Sequence, residues 1–385
     1  MPHYQTRGQV PAKRHTVFRQ PDGRLYAEEL ISSEGFSNDY SLAYHLYPPT
    51  LVNRIGTPVD VAPRIAVANN MQHRSLKGFR AAPVDDYLQA RQIVLTNSDL
   101  QLAVAAPRQS MEGYFYKNAS ADELVFIHDG TGTLLTAFGE VEFHPGDYVH
   151  IPRGVIHQFR FHTAENRHLV IESFSPIRFP RKYLSKYGQL MEHSPFYERD
   201  IRTPQNLQTI DQKGEFLVHI KKNHQLFPYT YATHPFDYIG WDGYFYPYAF
   251  SIHDFEPITG RVHQPPPVHQ NFEAHNFVIC SFVPRLFDYH PQAIPAPYHH
   301  SNIDSDELLY YVEGEFMSRK HVERGMMTLH PMGIPHGPHP GTVEKSIGAK
   351  ETIELAVMVD TFRPLALTQE ALALEDPDYF RSWVD

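Results

Sequence analysis

The stretch ELLYYVEG, residues 307–314, has the composition of a β-strand that ends in a tight turn. Apolar and aromatic residues follow Glu307 without a break, and Gly314 allows a sharp change of chain direction after them. The same pattern occurs 184 residues earlier as ELVFIHDG, residues 123–130. The spacing therefore predicts two copies of one strand-rich unit.

A second motif repeats downstream of each of these strands. GDYVHIPRGVIH covers residues 146–157, and GMMTLHPMGIPH covers residues 325–336. In both copies a glycine is followed after five residues by proline, then by a second glycine and a histidine. Each unit thus pairs a strand that begins with glutamate and a hairpin that ends with histidine.

The rest of the chain favours strands and turns over helices. We predict an all-β fold of two tandem barrel units with a few connecting helices. Helices are expected only at 180–194 and 368–384, where the apolar pattern is helical. The strands are predicted in RQIVLTN (91–97), ELVFIHD (123–129), GTLLTAF (132–138), YVHIP (148–152), HLVIESF (168–174), FVICSFVP (277–284), ELLYYVEG (307–314) and ELAVMVD (354–360).

Composition excludes several classes of protein. The formal net charge of -10 offers no basic face for a phosphate backbone, so we expect no nucleic-acid partner. Cys280 is the only cysteine, which rules out an internal disulfide and any zinc site built on paired cysteines. The N-terminus has no apolar signal core, and no long apolar run follows it. We therefore expect a cytoplasmic protein without a membrane partner.

The paired motifs resemble the cupin superfamily, in which a glutamate strand and a histidine hairpin meet inside a small β-barrel. The resemblance implies a domain at 1–235 with a degenerate metal site and a second domain at 236–385 that holds the metal. Cupin barrels of this kind bind a metal through histidine and carboxylate ligands.

The second copy retains three candidate ligands, His300, Glu307 and His336. Two histidines and one carboxylate form a facial triad, which leaves coordination positions open and is typical of non-haem iron(II) oxygenases. Zinc and manganese also bind such sites. Asn302 stands where the cupin pattern has another histidine.

Three neighbours of the triad are interpreted as surroundings. His299 precedes His300 on an extended chain and should point to the opposite face, so we assign it a structural role. Asp304 and Asp306 are alternative carboxylates, but only Glu307 keeps the register with the following glycine. Both aspartates are interpreted as parts of a polar turn.

The first copy lacks one of the ligands. Tyr116 takes the place of His300, and Asn118 takes the place of Asn302, which leaves only Glu123 and His157. Two protein ligands make a poor iron site. We therefore predict that Glu123 and His157 form structural hydrogen bonds in a metal-free barrel.

Further stretches resemble the homogentisate 1,2-dioxygenase family: LYAEEL near residue 25, PFDYIGWDG at 235–243, PYHHSN at 297–302 and IPHGPH at 334–339. The resemblance implies an Fe(II) enzyme that uses O2 to open the ring of homogentisate to maleylacetoacetate. It places the iron ligands on the three residues that the cupin spacing selects, and it implies a homo-oligomer, either a trimer or a hexamer.

The resemblance also assigns roles around the metal. An acid/base histidine corresponds to His263, with His269 as a rival, because imidazole exchanges protons near neutral pH. The substrate is expected to contact His336, Asn302 and Phe316. Phe316 departs from the family, which has a tyrosine at that position; Tyr310, Tyr311 or an arginine could compensate.

Two other functions stay open. One is a dioxygenase of another hydroquinone carboxylate, such as gentisate, which would share the metal but not the GWDG element. The other is a non-catalytic bicupin that binds a small ligand. Metal analysis and oxygen uptake distinguish these from the leading hypothesis.

Overall fold

The structure is a computed structural model that describes residues 3–67, 70–316, 318–319 and 322–384. Within these ranges the chain folds almost entirely into β-strands, and the all-β prediction is confirmed. The described residues form two short α-helices, α1 (Thr342–Ser346) and α2 (Gln369–Leu374). They also form 3-10 turns at Gly78–Arg80, Arg181–Tyr183, Glu198–Asp200, Ile252–Asp254, Pro266–His269 and Tyr379–Arg381.

Each of the strands predicted from sequence is present. The first part of the chain forms β1 (Gln5–Gly8), β2 (Ala27–Ser32), β3 (Tyr40–His45), β4 (Val52–Ile55), β5 (Val59–Asp60), β6 (Arg74–Lys77), β7 (Arg91–Thr96), β8 (Leu100–Ala105) and β9 (Phe115–Asn118). The middle forms β10 (Asp122–Asp129), β11 (Gly132–Thr136), β12 (Gly139–Phe143), β13 (Asp147–Ile151), β14 (His157–Phe161), β15 (Arg167–Ser173), β16 (Ile201–Arg202), β17 (Lys213–Lys222), β18 (Gln225–Thr233), β19 (Tyr238–Gly243) and β20 (Tyr248–Ser251). The last part forms β21 (Gln270–Ala274), β22 (Phe277–Phe282), β23 (Arg285–Leu286), β24 (Asp306–Glu313), β25 (Met326–His330), β26 (Glu351–Thr352), β27 (Leu355–Thr361), β28 (Ala366–Leu367) and β29 (Glu375–Asp376).

Two large sheets form the first unit. One has the order β16-β20-β13-β10-β15-β8-β7-β28, and the other has the order β12-β11-β14-β9-β17-β18-β4. Their facing sides bury aromatic residues such as Phe143 and Phe159, which have almost no exposed surface. Phe126, on the other face of β10, packs against Tyr310 of the second unit. A four-stranded sheet, β1-β19-β3-β2, covers the outside of this unit.

The second unit is smaller. Its main sheet has the order β21-β22-β27-β24-β25-β6-β29, and β23 pairs with β26 in a second, two-stranded sheet. In both units the glutamate strand lies between two antiparallel partners, β10 between β13 and β15, and β24 between β25 and β27. The repeat in the sequence is thus a repeat in topology.

The two units exchange strands. β6, from the first fifth of the chain, pairs with β25, and β28, near the C-terminus, pairs with β7. The Tyr310 hydroxyl on β24 and Nδ1 of His128 on β10 share a hydrogen bond of 2.8 Å, and Tyr148 and Ser281 share one of the same length. Each unit is therefore completed by residues from the other half of the chain. The division at residue 235 stays a prediction.

The glycines that end the two glutamate strands adopt the backbone that the sequence predicts. Gly130 has φ +104° and Gly314 has φ +96°, both in the left-handed region. A Cβ at Gly314 would lie 2.4 Å from the carbonyl oxygen of Ile353. Only glycine fits this turn without moving the neighbouring chain.

The helix predicted at 180–194 is wrong. Only Arg181–Tyr183 forms a 3-10 turn, after which Leu184 and Leu190 pair as an isolated β-bridge. Gly188, with φ +84°, closes a turn in which the amide of Ser185 donates to the Gln189 carbonyl over 2.8 Å. A glycine in the left-handed region interrupts a helix, and the segment becomes a small hairpin.

The helix predicted at 368–384 is shorter than expected. Thr368 caps α2 by accepting the amide of Ala371 over 3.1 Å, and the helix ends at Leu374. The next two residues form β29 against β6, and Pro377 prevents a return to a continuous helix. The chain ends with the turn at Tyr379–Arg381, which brings Trp383 towards the second unit.

Candidate metal centre

The strand β24 places Glu307 inside the second unit. Its preceding residue, Asp306, fixes the start of the strand by accepting the amides of Met332 and Leu365 over 2.8 and 2.7 Å. Asp122 does the same in the first unit, where it accepts the amides of Arg153 and Ile177. Asp306 is therefore a structural anchor, as the sequence interpretation held, and Asp304 lies exposed in the preceding turn.

His300 and His336 meet as a pair of backbone partners. The amide of His300 donates to the carbonyl of His336 over 2.8 Å, and the reverse bond is 2.9 Å long. In the first unit Tyr116 and His157 are paired in the same way. The equivalence of Tyr116 and His300 that the sequence repeat indicated is thus present in the backbone pairing.

The three candidate ligands converge. Nε2 of His300 lies 3.7 Å from Oε2 of Glu307, and Nε2 of His336 lies 3.4 Å from Oε1. One donor atom from each residue lies within 4.8 Å of the other two. Glu307 and His336 are buried, whereas His300 is partly exposed, so the cluster opens towards solvent on the His300 side.

Two further groups hold the Glu307 carboxylate. Nδ1 of His330 lies 2.8 Å from Oε1, and the Asn302 amide donates to Oε2 over 3.3 Å. Burial lowers the pKa of His330 to about 3, so His330 is neutral and its Nδ1 carries the donated proton. Burial alone would raise the pKa of Glu307, but its contacts with the imidazoles of His300, His330 and His336 hold it well below its ordinary value.

Sequence reasoning missed His330 and two residues from distant segments. His73, just before β6, lies with its ring centroid 5.4 Å from that of His330 and 5.9 Å from that of His336. Trp383 lies 4.9 Å from His73, and its indole nitrogen donates to the Gly337 carbonyl over 3.0 Å. His330 could have been found because it directly opposes Glu307 in the repeated hairpin; no motif indicates His73 or Trp383.

Charge balance distinguishes the two units. In the first, Arg91 donates to Glu123 over 2.7 Å and to Glu172 over 2.8 Å, and Lys221 donates to Glu172. Tyr116 and Asn118 also donate to Glu123, which confirms the structural reading of this glutamate. Two buried cations thus neutralise two buried carboxylates.

In the second unit the corresponding carboxylates are Glu307 and Asp360, which face each other across β24 and β27. Among the described residues, no lysine or arginine forms an ion pair with either one. Burial and the charge of Glu307 raise the pKa of Asp360 to about 8. Nε2 of His336 is buried and makes no hydrogen bond in the described part of the chain.

These features fit a divalent metal ion. The donor set contains two imidazole nitrogens and one carboxylate, which suits iron, zinc or manganese. The buried negative charge and the unsatisfied imidazole nitrogen would both gain a partner from a cation. His300, Glu307 and His336 are therefore the residues that could hold a metal.

The two candidate acid/base histidines lie in different surroundings. His263 is half exposed; its Nδ1 lies 3.9 Å from Oδ2 of Asp288, and its ring packs 5.0 Å from that of Tyr298. Tyr298 in turn approaches His300 at 6.4 Å. His269 is buried against Phe282, and burial lowers its pKa to about 3.

The remaining sequence candidates lie around the cluster. Phe316 packs edge-on against Tyr311 with ring centroids 4.5 Å apart, so it belongs to an aromatic group beside the centre. Tyr311 shares a hydrogen bond with Thr328, and Tyr310 bonds His128 of the first unit. His299 is exposed and lies against Gly337, where an added Cβ would meet its Nδ1 at 2.5 Å.

Two tandem β units with one His–Glu–His cluster define a bicupin with a single candidate metal centre in its described residues. The match to known families is more specific. Residues 84–252 match the homogentisate 1,2-dioxygenase N-terminal family, and residues 249–385 match the C-terminal family of the same enzyme. The chain belongs to the homogentisate 1,2-dioxygenase family.

Two relatives illustrate the match. The chain is 40% identical over 385 residues to a protein of Saccharolobus solfataricus whose name describes a candidate dioxygenase, with 100% of this chain and 99% of that protein covered. It is 26% identical over 309 residues to the homogentisate 1,2-dioxygenase of Bradyrhizobium diazoefficiens, with 75% and 67% covered. These relatives support a ring-cleaving dioxygenase.

Solved structures align with this chain only at low similarity. A cupin 2 conserved barrel domain protein from Leptotrichia buccalis aligns with a TM-score of 0.34 and 9% identity over 77% of this chain and 100% of that chain. Oxalate decarboxylase from Bacillus subtilis aligns with a TM-score of 0.35 and 10% identity over 82% of this chain and 84% of that chain.

In the described ranges, every helix is too short or too polar to cross a bilayer.

Proposed function

We propose that this chain is an Fe(II)-dependent dioxygenase that opens the ring of homogentisate to give maleylacetoacetate. The observation that carries the proposal is the charge difference between the two units. Arg91 and Lys221 form ion pairs with the buried carboxylates of the first unit, whereas Glu307 of the second forms none with a lysine or arginine among the described residues. A bound cation would provide the missing positive charge.

His300, Glu307 and His336 would hold the iron. Bound Fe(II) supplies Lewis acidity and open coordination positions for a phenolic oxygen and O2. The protein contributes the arrangement of the ligands: the His300–His336 backbone pair fixes both imidazoles, and His330 and Asn302 orient the carboxylate. The partial exposure of His300 provides the side from which substrate enters.

His263 is the proposed acid/base residue. Its half-exposed ring lies on the Tyr298 side of His300, and Asp288 near Nδ1 can orient the ring while Nε2 takes the substrate's phenolic proton. His269 is a weaker candidate because it is buried against Phe282 with a strongly lowered pKa.

The substrate would lie against His336, Asn302 and Phe316. Phe316 provides an apolar edge where a tyrosine would provide a hydroxyl, and Asn302 already donates to Glu307. Aromatic packing beside the ring is thus the contribution we assign to Phe316. We also propose that the chain works as a cytoplasmic homo-oligomer, a trimer or hexamer, which light scattering of the purified protein tests.

Oxygen uptake by iron-loaded protein tests which compound is the substrate. Homogentisate and gentisate are supplied side by side under identical conditions, and consumption is followed with an oxygen electrode. We expect faster uptake with homogentisate. Faster uptake with gentisate would reassign the substrate, and no uptake with either, in protein that retains bound iron, would favour a ligand-binding bicupin.

A further inference from the structure

A separate cavity of about 90 Å³ lies between the barrel of the first unit and the sheet that covers it. None of its lining residues belongs to the metal cluster. One water molecule needs at least about 10–15 Å³, so the cavity has room for a small molecule. Phe138, Tyr231 and Tyr238 provide aromatic walls.

A lysine lines this cavity without an ionic partner. Tyr116 and Asn118 on β9 point inward to Glu123, so Lys117 between them points to the outer face of the strand. Within the described residues the Lys117 ammonium makes no hydrogen bond or ion pair. Burial lowers its pKa, and the charge of Glu29 opposes that shift. The side chain is partly buried, so its ammonium can pair with a ligand that enters the cavity.

The same cavity has a second donor. Nδ1 of His234 accepts the amide of Phe236 over 3.0 Å, so the proton of this imidazole is on Nε2. His234 also lines the cavity. The ammonium and the imidazole N–H together suit a carboxylate.

The opposite wall is acidic. Both ring nitrogens of His45 contact carboxylate oxygens, Nδ1 with Asp237 at 2.7 Å and Nε2 with Oε2 of Glu29 at 2.9 Å, so both must donate and His45 is an imidazolium. Oε1 of Glu29 makes no hydrogen bond in the described part of the chain. Two carboxylates, His45 and Lys117 leave the empty cavity with no net charge.

We propose that this cavity binds a small zwitterionic amino acid. Its carboxylate would contact Lys117 and His234, and its ammonium would contact the free oxygen of Glu29. A ligand with both charges keeps the cavity electrically balanced, whereas a simple carboxylate would leave one negative charge in excess. This site is independent of the metal centre and of the proposed reaction.

Calorimetric titration and thermal unfolding of the full-length protein test the site, with L-alanine and L-valine as probes. Propionate and ethylamine serve as ligands with only one of the two charges. We expect one site per chain for the amino acids, a higher melting temperature in their presence, and at least tenfold weaker binding of propionate and ethylamine. No binding of either amino acid at millimolar concentration would overturn the proposal.

The variant Lys117→Met tests whether Lys117 binds the carboxylate of the amino acid. The variant should bind the amino acids at least tenfold more weakly than the wild type. Lys186→Met makes the same change at an exposed position and should bind normally. Unchanged binding in folded Lys117→Met would contradict the site.

Discussion

At the scale of single residues, Glu307 determines what the second unit can bind. Its carboxylate contacts His300, His330, His336 and Asn302 within the barrel. The equivalent Glu123 contacts Arg91 instead. The same residue type in the same strand position thus serves as a candidate metal ligand in one unit and as an internal counter-ion in the other.

Glu307→Gln tests that role. Loss of the charge should weaken iron binding by more than the roughly 10–100-fold expected for an outer-shell partner, because the carboxylate is itself a ligand. Oxygen uptake should fall in proportion to bound iron. Glu315→Gln makes the same change at an exposed position and should leave both unchanged. Normal iron content in Glu307→Gln would remove this residue from the ligand set.

His330 is expected to act through Glu307. In His330→Leu the carboxylate loses its 2.8 Å donor, so iron affinity should fall about 10–100-fold. His330→Asn retains a donor group and should recover part of that affinity. Competition with a chelator measures the iron affinity of both variants. Equal affinities for His330→Leu and the wild type would show that the hydrogen bond does not position the ligand.

At the scale of elements, β10 and β24 carry the two versions of one charged site. Arg91 on β7 bridges Glu123 on β10 and Glu172 on β15, all of them buried. Because the first unit obtains its positive charge from this side chain and from Lys221, its folding requires no metal. The second unit has no equivalent bridge among its described residues.

Arg91→Met should therefore destabilise the first unit. It would leave Glu123 buried without its cation, at a cost of about 3–5 kcal/mol in the free energy of unfolding. Arg91→Lys should lie between the wild type and Arg91→Met, because an ammonium cannot reproduce the planar bridge between two carboxylates. Urea unfolding measures the free energy of unfolding of both variants. Wild-type stability in Arg91→Met would mean that this bridge is not needed.

The success of the sequence predictions differed between elements for physical reasons. Strand positions and the His300–Glu307–His336 convergence follow from a spacing that repeats, because alternation along a strand fixes which side chains face inward. The helix at 180–194 failed because Gly188 adopts a left-handed backbone that apolar spacing does not reveal. His73 and Trp383 reach the site through pairing and chain reversal over hundreds of residues, which no local pattern encodes.

At the scale of the whole molecule, long-range strand pairing connects the halves, and a buried histidine holds neighbouring strands of the outer sheet together. His45 on β3 contacts Glu29 on β2 and Asp237 just before β19. Burial alone would lower its pKa, but hydrogen bonds with Asp237 and Glu29 outweigh that effect and raise it to about 9. The protonated ring therefore contributes to the stability of the folded chain.

This contribution should depend on pH. Since the folded pKa of about 9 exceeds the ordinary 6.5, the stabilisation is fully present below pH 6.5 and is lost as pH rises through 9. It is on the order of 3 kcal/mol at its maximum. The stability difference between wild type and His45→Gln should be large at pH 6 and small at pH 10. Exposed His193→Gln should show no such trend, and a constant difference for His45→Gln would contradict the charge assignment.

We propose that the His300–Glu307–His336 centre opens the ring of homogentisate with both atoms of O2. The most direct measurement follows oxygen consumption and product mass together, using iron-loaded wild type and Glu307→Gln. We predict one O2 consumed per homogentisate and a ring-opened product heavier by two oxygen atoms, formed by the wild type alone. A product heavier by one oxygen atom, or equal turnover by Glu307→Gln, would contradict the account.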